Sequence, residues 1–173
     1  YVDFANMIVK SIGEFQGMHL RLSDHVKMFN TTSESFESYL SEFEDRNLPI
    51  VVSTCEPMHE MVQRNKHRFY LLDEMIVNLF AKEFGELKFR DEVVFGLICN
   101  LVLQKAKYFV GTSGSTYTGY IQRMRNINGL EENFDFFDRP TLINTGSYSW
   151  NGSTLTNGQK MWWREWPESK LNI

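Results

Sequence analysis

The chain has 173 residues, of which 42% are hydrophobic and 14% aromatic, so it can bury the core of one ordinary domain. Its formal net charge of −4 argues against nucleic-acid binding through a broadly basic surface. It contains no apolar run of the roughly 18–20 residues that cross a bilayer, so the sequence predicts no membrane span.

The two cysteines, Cys55 and Cys99, stand outside any metal-binding spacing, and the sequence holds no Cys/His cluster. We therefore expect two unpaired thiols and no metal site, with a disulfide as the less favoured alternative. The sequence starts at Tyr1, already inside a helical pattern, which favours a piece of a longer protein. The residues leave the cellular compartment open.

The spacing of apolar residues and turn signals predicts a series of alternating helices and strands. Strands that alternate with helices indicate an α/β fold with a parallel sheet and helices on both faces. The helix over 91–105 has no charge from Val93 to Leu103, so we expect it to be enclosed on several sides. In chain order the elements are a helix over 2–14, a strand over 16–22, a helix from about 31 to 45, a strand over 50–53, a short helix that starts at Pro57, a strand over 68–72, a helix over 74–84, the helix over 91–105, a strand over 108–110 and a helix over 118–125.

The composition changes after residue 127. Residues 128–173 are rich in Gly, Asn, Ser and Thr and contain all four tryptophans. So aromatic a segment is not typical of free disorder. We therefore interpret 1–127 as a single domain of the nucleotide-binding type. Residues 128–173 are interpreted as an irregular or β-like tail packed on that domain.

A turn rich in glycine and hydroxyl side chains, Gly111 to Thr118, links the last predicted strand to the last predicted helix. Free backbone N–H groups and the helix dipole favour an anion at such a helix start, and glycines let the backbone approach it closely. The hydroxyls of Ser113, Ser115, Thr116 and Thr118 are candidate ligands of a phosphate. Ordinary helix capping is the alternative interpretation for each of them.

Polar residues also follow two earlier strands of the predicted sheet. His19 and Arg21 alternate with apolar residues near the end of one strand, and Thr54 follows the next. In parallel sheets, ligands bind outside the carboxyl ends of the strands, at a topological switch point. We expect His19, Arg21 and Thr54 to meet the Gly111–Thr118 turn at that edge.

The Arg21 guanidinium is suited to hold a diphosphate through a bidentate contact. When a nucleoside diphosphate leaves during group transfer, such preorganised donors stabilise the growing charge. The alternatives are a surface ion pair between Arg21 and Asp24 and a buried structural role for His19. Arg123 and Arg125, on the last helix, are expected to be solvated.

Two stretches resemble motifs of the GDP-fucose-dependent fucosyltransferase superfamily, which includes the α1,6-fucosyltransferases and the protein O-fucosyltransferases. His19 to Asp24, HLRLSD, is similar to the H-x-R-x-x-D motif of that superfamily. Gly111 to Thr118, GTSGSTYT, resembles its G-T-x-x-S-T-F-S motif, and 106–110 resembles the strand before it. Val51 to Thr54 resembles the middle motif, and the likeness covers about residues 1–127.

This resemblance implies the Rossmann-like, donor-binding C-terminal half of a GT-B-type transferase. It implies transfer of fucose from GDP-fucose to a glycan or protein acceptor with inversion, without a metal for donor binding and without a prosthetic group. Arg21 is implied as the catalytic residue that contacts the β-phosphate and assists departure of GDP. Around the donor, the residues implied are His19, Arg21, Asp24, Thr54, Ser113, Ser115, Thr116 and Tyr117.

The sequence also departs from the superfamily's pattern at three places. Leu22 stands where many relatives have a second arginine, and Cys55 stands where an acid usually follows Thr54. The stretch from Val93 to Leu103 lacks the aspartate that often faces guanine. Another nucleotide sugar and a non-catalytic relative that binds glycan or protein are therefore alternatives.

Overall fold

A computed structural model of the protein describes residues 1–22, 36–37, 40–41, 43, 47–86, 92–112, 115–128, 130, 149–150 and 153–154. Helices α1 to α6 span Val2–Ile12, Glu60–Asn65, Leu72–Leu79, Ala81–Glu86, Glu92–Leu103 and Thr116–Ile127. Strands β1 to β6 span Gln16–Leu20, Ile50–Thr54, Tyr70–Leu71, Tyr108–Gly111, Ser149–Trp150 and Ser153–Thr154. The predicted loop over 24–32 and most of the predicted tail lie outside the described residues.

Strands β1 to β4 form a parallel sheet with the order β3-β2-β1-β4. This confirms the predicted α/β class with a parallel sheet. From β1 the chain adds β2 and then β3 on one side, and β4 later pairs with the other side of β1. The direction of strand addition therefore reverses between β1 and β4, which makes their carboxyl ends the topological switch point.

Two apolar clusters cover the two faces of this sheet, because successive side chains of a strand point to opposite faces. The first cluster joins α1, α3, α5 and α6 to one face, and the second joins α2, Phe36, Leu40 and Phe43 to the other. Neighbouring residues accordingly fall into different clusters, with Val51 and Phe109 in the first and Val52 and Val110 in the second. The helices lie on both faces, as predicted.

Three elements differ from the prediction, and a helix cap explains the first of them. The short helix begins at Glu60, three residues after Pro57, since the Nδ1 of His59 accepts the N–H of Met61 and caps the helix there. The predicted strand over 68–72 is reduced to β3, and the predicted helix over 74–84 is divided into α3 and α4.

The enclosure predicted for the uncharged helix is wrong in part. In α5, Ile98 and Val102 are fully buried, but Val93 is 78% exposed and Leu97 is 41% exposed within the described part of the protein. A run without charges therefore does not by itself imply burial on every side.

Candidate functional site

Thr112 joins the carboxyl ends of β1 and β4 through three hydrogen bonds. Its backbone N–H donates to the carbonyl of His19 at 2.9 Å, and its hydroxyl donates to the same carbonyl at 3.2 Å. The same hydroxyl oxygen accepts the backbone N–H of Arg21 at 2.8 Å. Because a hydroxyl has one proton and two lone pairs, this arrangement is chemically consistent, and it fixes the backbone of Arg21 against the turn after β4.

Ser115 lies in that turn, immediately before α6. Its N–H donates to the carbonyl of Thr112 at 3.3 Å, and its side chain is only 2% exposed. The Ser115 hydroxyl nevertheless has no hydrogen-bond partner among the described residues. The start of α6, a helix of 12 residues, thus combines the N–H groups of a first helical turn, the positive end of a helix dipole and a buried hydroxyl without a partner in the described part of the chain.

His19 is held in place by two residues of the first turn of α6. Its Nδ1 lies 2.7 Å from the hydroxyl oxygen of Thr118, and its ring centroid lies 4.6 Å from that of Tyr117. The side chain of His19 is 6% exposed, so it forms part of the wall below the switch point rather than a free surface group. This contact joins the end of β1 to the start of α6.

Gly111 permits the close approach of α6 to β4. A Cβ atom at position 111 would lie 2.3 Å from Cγ2 of Thr118 and 2.7 Å from its hydroxyl oxygen. Any larger residue would therefore displace the threonine that contacts His19. The glycine of the turn has a packing role here, in addition to any approach of a ligand.

The helices α5 and α6 lie side by side and are joined near their N-terminal ends. The hydroxyl of Tyr117 donates to the backbone carbonyl of Gly96 at 2.5 Å. Burial raises the pKa of Tyr117 above its usual range, so this hydroxyl keeps its proton at neutral pH. Tyr117 is therefore a wall residue that contacts both His19 and α5.

Arg125 is buried, so the expectation that it is solvated is wrong. Its side chain is 0% exposed, and its terminal nitrogens donate to the carbonyls of Gln104, Ala106 and Lys107 between α5 and β4. The guanidinium also lies 5.9 Å from the ring centroid of Phe109. Burial lowers the pKa of Arg125 to about 10, which leaves it charged at neutral pH. Arg125 shares one face of α6 with Tyr117 and Ile121, and this spacing of four residues could have predicted its burial.

The remaining predicted ligands have different positions. Thr54 ends β2 at the same edge, but its hydroxyl accepts the N–H of Glu56 at 3.2 Å and so closes its own turn. Thr116 is exposed at the first position of α6. Asp24 and Ser113 lie outside the described residues.

Both thiols are free, as predicted for Cys55 and Cys99. Cys99, on α5, is buried, and burial raises its pKa above the usual range. Cys55 is exposed directly after β2, at the carboxyl edge of the sheet. Because Cys55 is exposed and Cys99 is buried, the reactivity of Cys55 towards a thiol reagent can report on this edge of the sheet.

Asp73 is the polar residue at this edge that the sequence analysis missed. It lies in the first turn of α3, two residues after β3 ends at Leu71. Burial raises its pKa from 3.8 to about 6, and its Oδ1 has no hydrogen-bond partner among the described residues. The sequence could have indicated Asp73, because this acidic residue follows the apolar strand β3 in the way that Arg21 follows β1.

No protein-family model matches this chain, and no curated protein matches it either. Within the described residues, no helix has the length and apolar character needed to cross a membrane. The same residues hold no group of three or more His, Cys, Asp or Glu side chains that could bind a metal ion.

Proposed function

We propose that this chain is the donor-binding part of a glycosyltransferase that uses a nucleotide sugar, with GDP-fucose as the expected donor. The observation that carries the proposal is the junction at Thr112. One side chain ties the backbone of Arg21 to the start of α6, where the Ser115 hydroxyl is buried and unpartnered. The backbone of an arginine and a helix start of the kind that favours anions thus lie close together, although 91 positions separate Arg21 from Thr112.

In the proposed complex the diphosphate lies between Arg21 and the first turn of α6. The guanidinium contacts the β-phosphate, while backbone N–H groups and the hydroxyl of Ser115 contact the other oxygens. His19, fixed by Thr118 and Tyr117, supports this wall from below. These donors are preorganised because Thr112 and the helix hold the backbone that carries them.

The proposed chemistry is a single displacement at the anomeric carbon of the sugar. An acceptor hydroxyl forms the new C–O bond as the bond to the β-phosphate oxygen breaks, and the electron pair of that bond remains on the diphosphate. The hydroxyl proton passes to solvent or to the departing diphosphate. Negative charge grows on the leaving group, so the fixed donors around it are more effective in the transition state than in the ground state.

Calorimetric titration with GDP tests the proposal. We expect Arg21→Ala to weaken binding by about 1.5–3 kcal/mol, the scale of a hydrogen bond to a charged group. Arg68→Ala is the matched control, because Arg68 pairs with Glu37 on an exposed surface and should leave GDP affinity unchanged. The proposal fails if millimolar GDP, UDP and ADP all leave the protein unbound.

The Cys55 thiol gives an independent readout of the same site. A bound nucleotide should slow the reaction of Cys55 with a maleimide, whereas buried Cys99 should stay unreactive with or without ligand. Equal labelling rates with and without saturating GDP would place the ligand elsewhere.

A non-catalytic relative that binds glycan or protein is the second candidate, and Leu22 is the observation that favours it. Leu22 stands where many fucosyltransferases have a second arginine, and here it is 0% exposed in the second apolar cluster. A fucose-transfer assay on the full-length protein separates the two candidates. Turnover that Arg21→Ala abolishes would eliminate the binding-only alternative.

A further inference from the structure

A groove lies at one edge of the sheet, apart from the candidate site. This edge groove has a volume of about 580 Å³ and is formed by residues 48–50, residues 66–71 and one side of α3. In the strand order β3-β2-β1-β4 it borders β3, whereas the candidate site lies between β1 and β4. Its volume falls within the range of most small-molecule sites, roughly 300–1,000 Å³.

Tyr70 provides an exposed aromatic ring in the edge groove. Its partner in the register is Val51, which belongs to the first apolar cluster, so Tyr70 lies on the face of the sheet that α3 covers. Tyr70 is nevertheless 60% exposed, because β3 is the outer strand of the described sheet. Its two neighbours, Phe69 and Leu71, are buried in the second cluster and fix the strand. A tyrosine held in this way offers a large contact area at a low cost in conformational entropy.

The helix α3 lines the edge groove with one polar and one apolar pair of residues. Glu74 and Asn78 are four residues apart and therefore lie on the same side of the helix. Met75 and Leu79 form a second pair beside them, and Asn78 and Leu79 are exposed. This wall of the groove is therefore amphipathic, with a carboxylate and an amide next to an apolar strip.

The Lys, Arg and Glu side chains that line the edge groove are all engaged in ion pairs. Lys66 pairs with Glu74, and Arg68 pairs with Glu37. A charged ligand would compete with these pairs, so the groove favours an uncharged one. The Glu74 carboxylate can still accept hydrogen bonds, because Lys66 contacts its Oε1 and a carboxylate has two oxygens.

We propose that the edge groove binds a neutral oligosaccharide. A pyranose ring has an apolar face of C–H groups and a rim of hydroxyl groups, and the groove presents a surface that matches each. The C–H face packs on the ring of Tyr70 and on Leu79, while sugar hydroxyls bond to the carboxylate of Glu74 and the amide of Asn78. A wholly apolar ligand would remove water from these polar groups without replacing its hydrogen bonds, which is unfavourable.

This binding site is separate from the proposed donor site and does not depend on it. The strands β2 and β1 stand between the edge groove and the start of α6. If the chain transfers a sugar, the groove holds part of a glycan acceptor away from the bond that forms, and this use rests on the proposed function. If the chain is not catalytic, the groove is itself the glycan-binding site.

Backbone amide NMR with maltotriose, cellotriose and tri-N-acetylchitotriose at millimolar concentration tests the proposal. At least one of these neutral trisaccharides should give saturable shifts at His67, Tyr70 and Asn78, with the amide of Ser115 unchanged. If none of the three shifts the groove amides, the proposal is wrong. Inorganic phosphate is the anionic probe, and displacement of the trisaccharide by phosphate would also overturn the assignment to a neutral ligand.

Removal of the aromatic ring should weaken the binding of that trisaccharide. Tyr70→Ala should reduce the affinity roughly tenfold, whereas Tyr70→Phe keeps the ring and should retain most of it. Tyr120→Ala is the matched control, because Tyr120 is an exposed tyrosine of α6 outside the groove. Equal affinity of the Tyr70→Ala and Tyr120→Ala proteins would refute the role of the ring and with it the proposal.

Asn78→Ala changes an exposed residue and provides a second test if Tyr70→Ala does not fold. It should weaken trisaccharide binding roughly 2- to 12-fold, the scale of one hydrogen bond. Unchanged affinity in this variant would contradict the proposed contacts in the groove.

GDP separates this inference from the proposed function. Tyr70→Ala should leave GDP affinity unchanged, and Arg21→Ala should leave trisaccharide affinity unchanged. If the trisaccharide binds in the groove but no nucleotide binds, the proposed function falls and the edge groove keeps its assignment. If GDP binds but none of the trisaccharides does, the edge groove loses its assignment and the proposed function stands.

Discussion

Both ends of α6 bury a polar side chain, but the two side chains differ in how their hydrogen bonds are used. At the C-terminal end, Arg125 directs its terminal nitrogens at three carbonyls of the chain before β4 and is sealed from solvent. At the N-terminal end, Ser115 is equally buried but keeps a hydroxyl without a partner among the described residues. The Nε of Arg125 also lacks a partner among the described residues, so a spare buried atom does not by itself indicate a ligand site. The difference is that the terminal nitrogens of Arg125 are used by the fold, whereas the one side-chain polar group of Ser115 is not.

The largest expected effect on stability comes from Arg125. Arg125→Ala leaves carbonyls of the chain between α5 and β4 without their donors and opens a cavity beside Phe109, so it should lower the free energy of unfolding by about 2–4 kcal/mol. Urea unfolding measures the change. Arg64→Ala, which removes an exposed ion pair with Glu60, should lower it by less than about 0.5 kcal/mol. Equal effects of the two variants would contradict the structural role of Arg125.

Gly111 gives the next largest effect, and it acts at the N-terminal end of α6. Gly111→Ala forces Thr118 away from β4, so we expect a loss of about 1–3 kcal/mol in unfolding free energy and weaker GDP binding. Gly96→Ala is the control, because a Cβ there meets open space and alanine favours the helix. The double variant Gly111→Ala/Thr118→Ala should recover part of the lost stability, because it removes Cγ2 and the hydroxyl but keeps the Cβ of residue 118. A double variant less stable than Gly111→Ala alone would contradict the steric explanation.

Asp73 should show a pH dependence of the opposite sign to that of an ion-paired aspartate. Its pKa is raised from 3.8 to about 6 by burial, so between these values the folded state binds the proton more tightly than the unfolded state. The contribution of Asp73 to stability therefore falls as pH rises through this window. Asp73→Asn should exceed the wild type by roughly 1–2 kcal/mol above pH 6 and match it below pH 4.

Thermal unfolding of both proteins between about pH 3.5 and 7.5 measures this difference. If the wild type became more stable relative to Asp73→Asn as pH rises from 3.8 to about 6, the sign of the pKa shift would be contradicted. Glu74→Gln serves as the control for a carboxylate engaged in an exposed ion pair.

Ser115 should give the smallest effect on stability and a clear effect on binding. Because its hydroxyl has no partner among the described residues, Ser115→Ala should change the unfolding free energy by less than about 0.5 kcal/mol. GDP affinity should fall by roughly 2- to 12-fold, the scale of one hydrogen bond. Ser11→Ala, at an exposed position of α1, is the control for affinity. A loss of stability without a loss of affinity would identify Ser115 as a structural residue.

The sequence predicted the framework of the sheet because each strand carries a clear local signal. The alternation around Met18 and Leu20 predicts β1, and the β-branched run at Ile50–Val52 predicts β2. The short β3 was harder to delimit, because Phe69, Leu71 and Leu72 are all apolar and the change from strand to helix falls among them. Periodicity does not locate such a boundary.

The candidate site was predicted only where its residues carry a recognisable pattern. His19, Arg21 and Ser115 belong to such stretches, and the structure describes the backbone of all three at the same edge. Asp73 has no comparable pattern, and only its burial and its unpartnered Oδ1 among the described residues distinguish it. Arg125 was misjudged because an arginine on a helix is usually solvated, and only tertiary packing reveals the carbonyls that surround it.

Mapping of the backbone amides by NMR during a GDP titration tests the central claim most directly. We predict saturable shifts at Gly111, at Ser115–Thr118 and at His19–Leu22, with α1 and the amino ends of the strands unaffected. Saturable shifts confined to other regions, with the amides at the start of α6 unchanged, would contradict a diphosphate site at the switch point between β1 and β4.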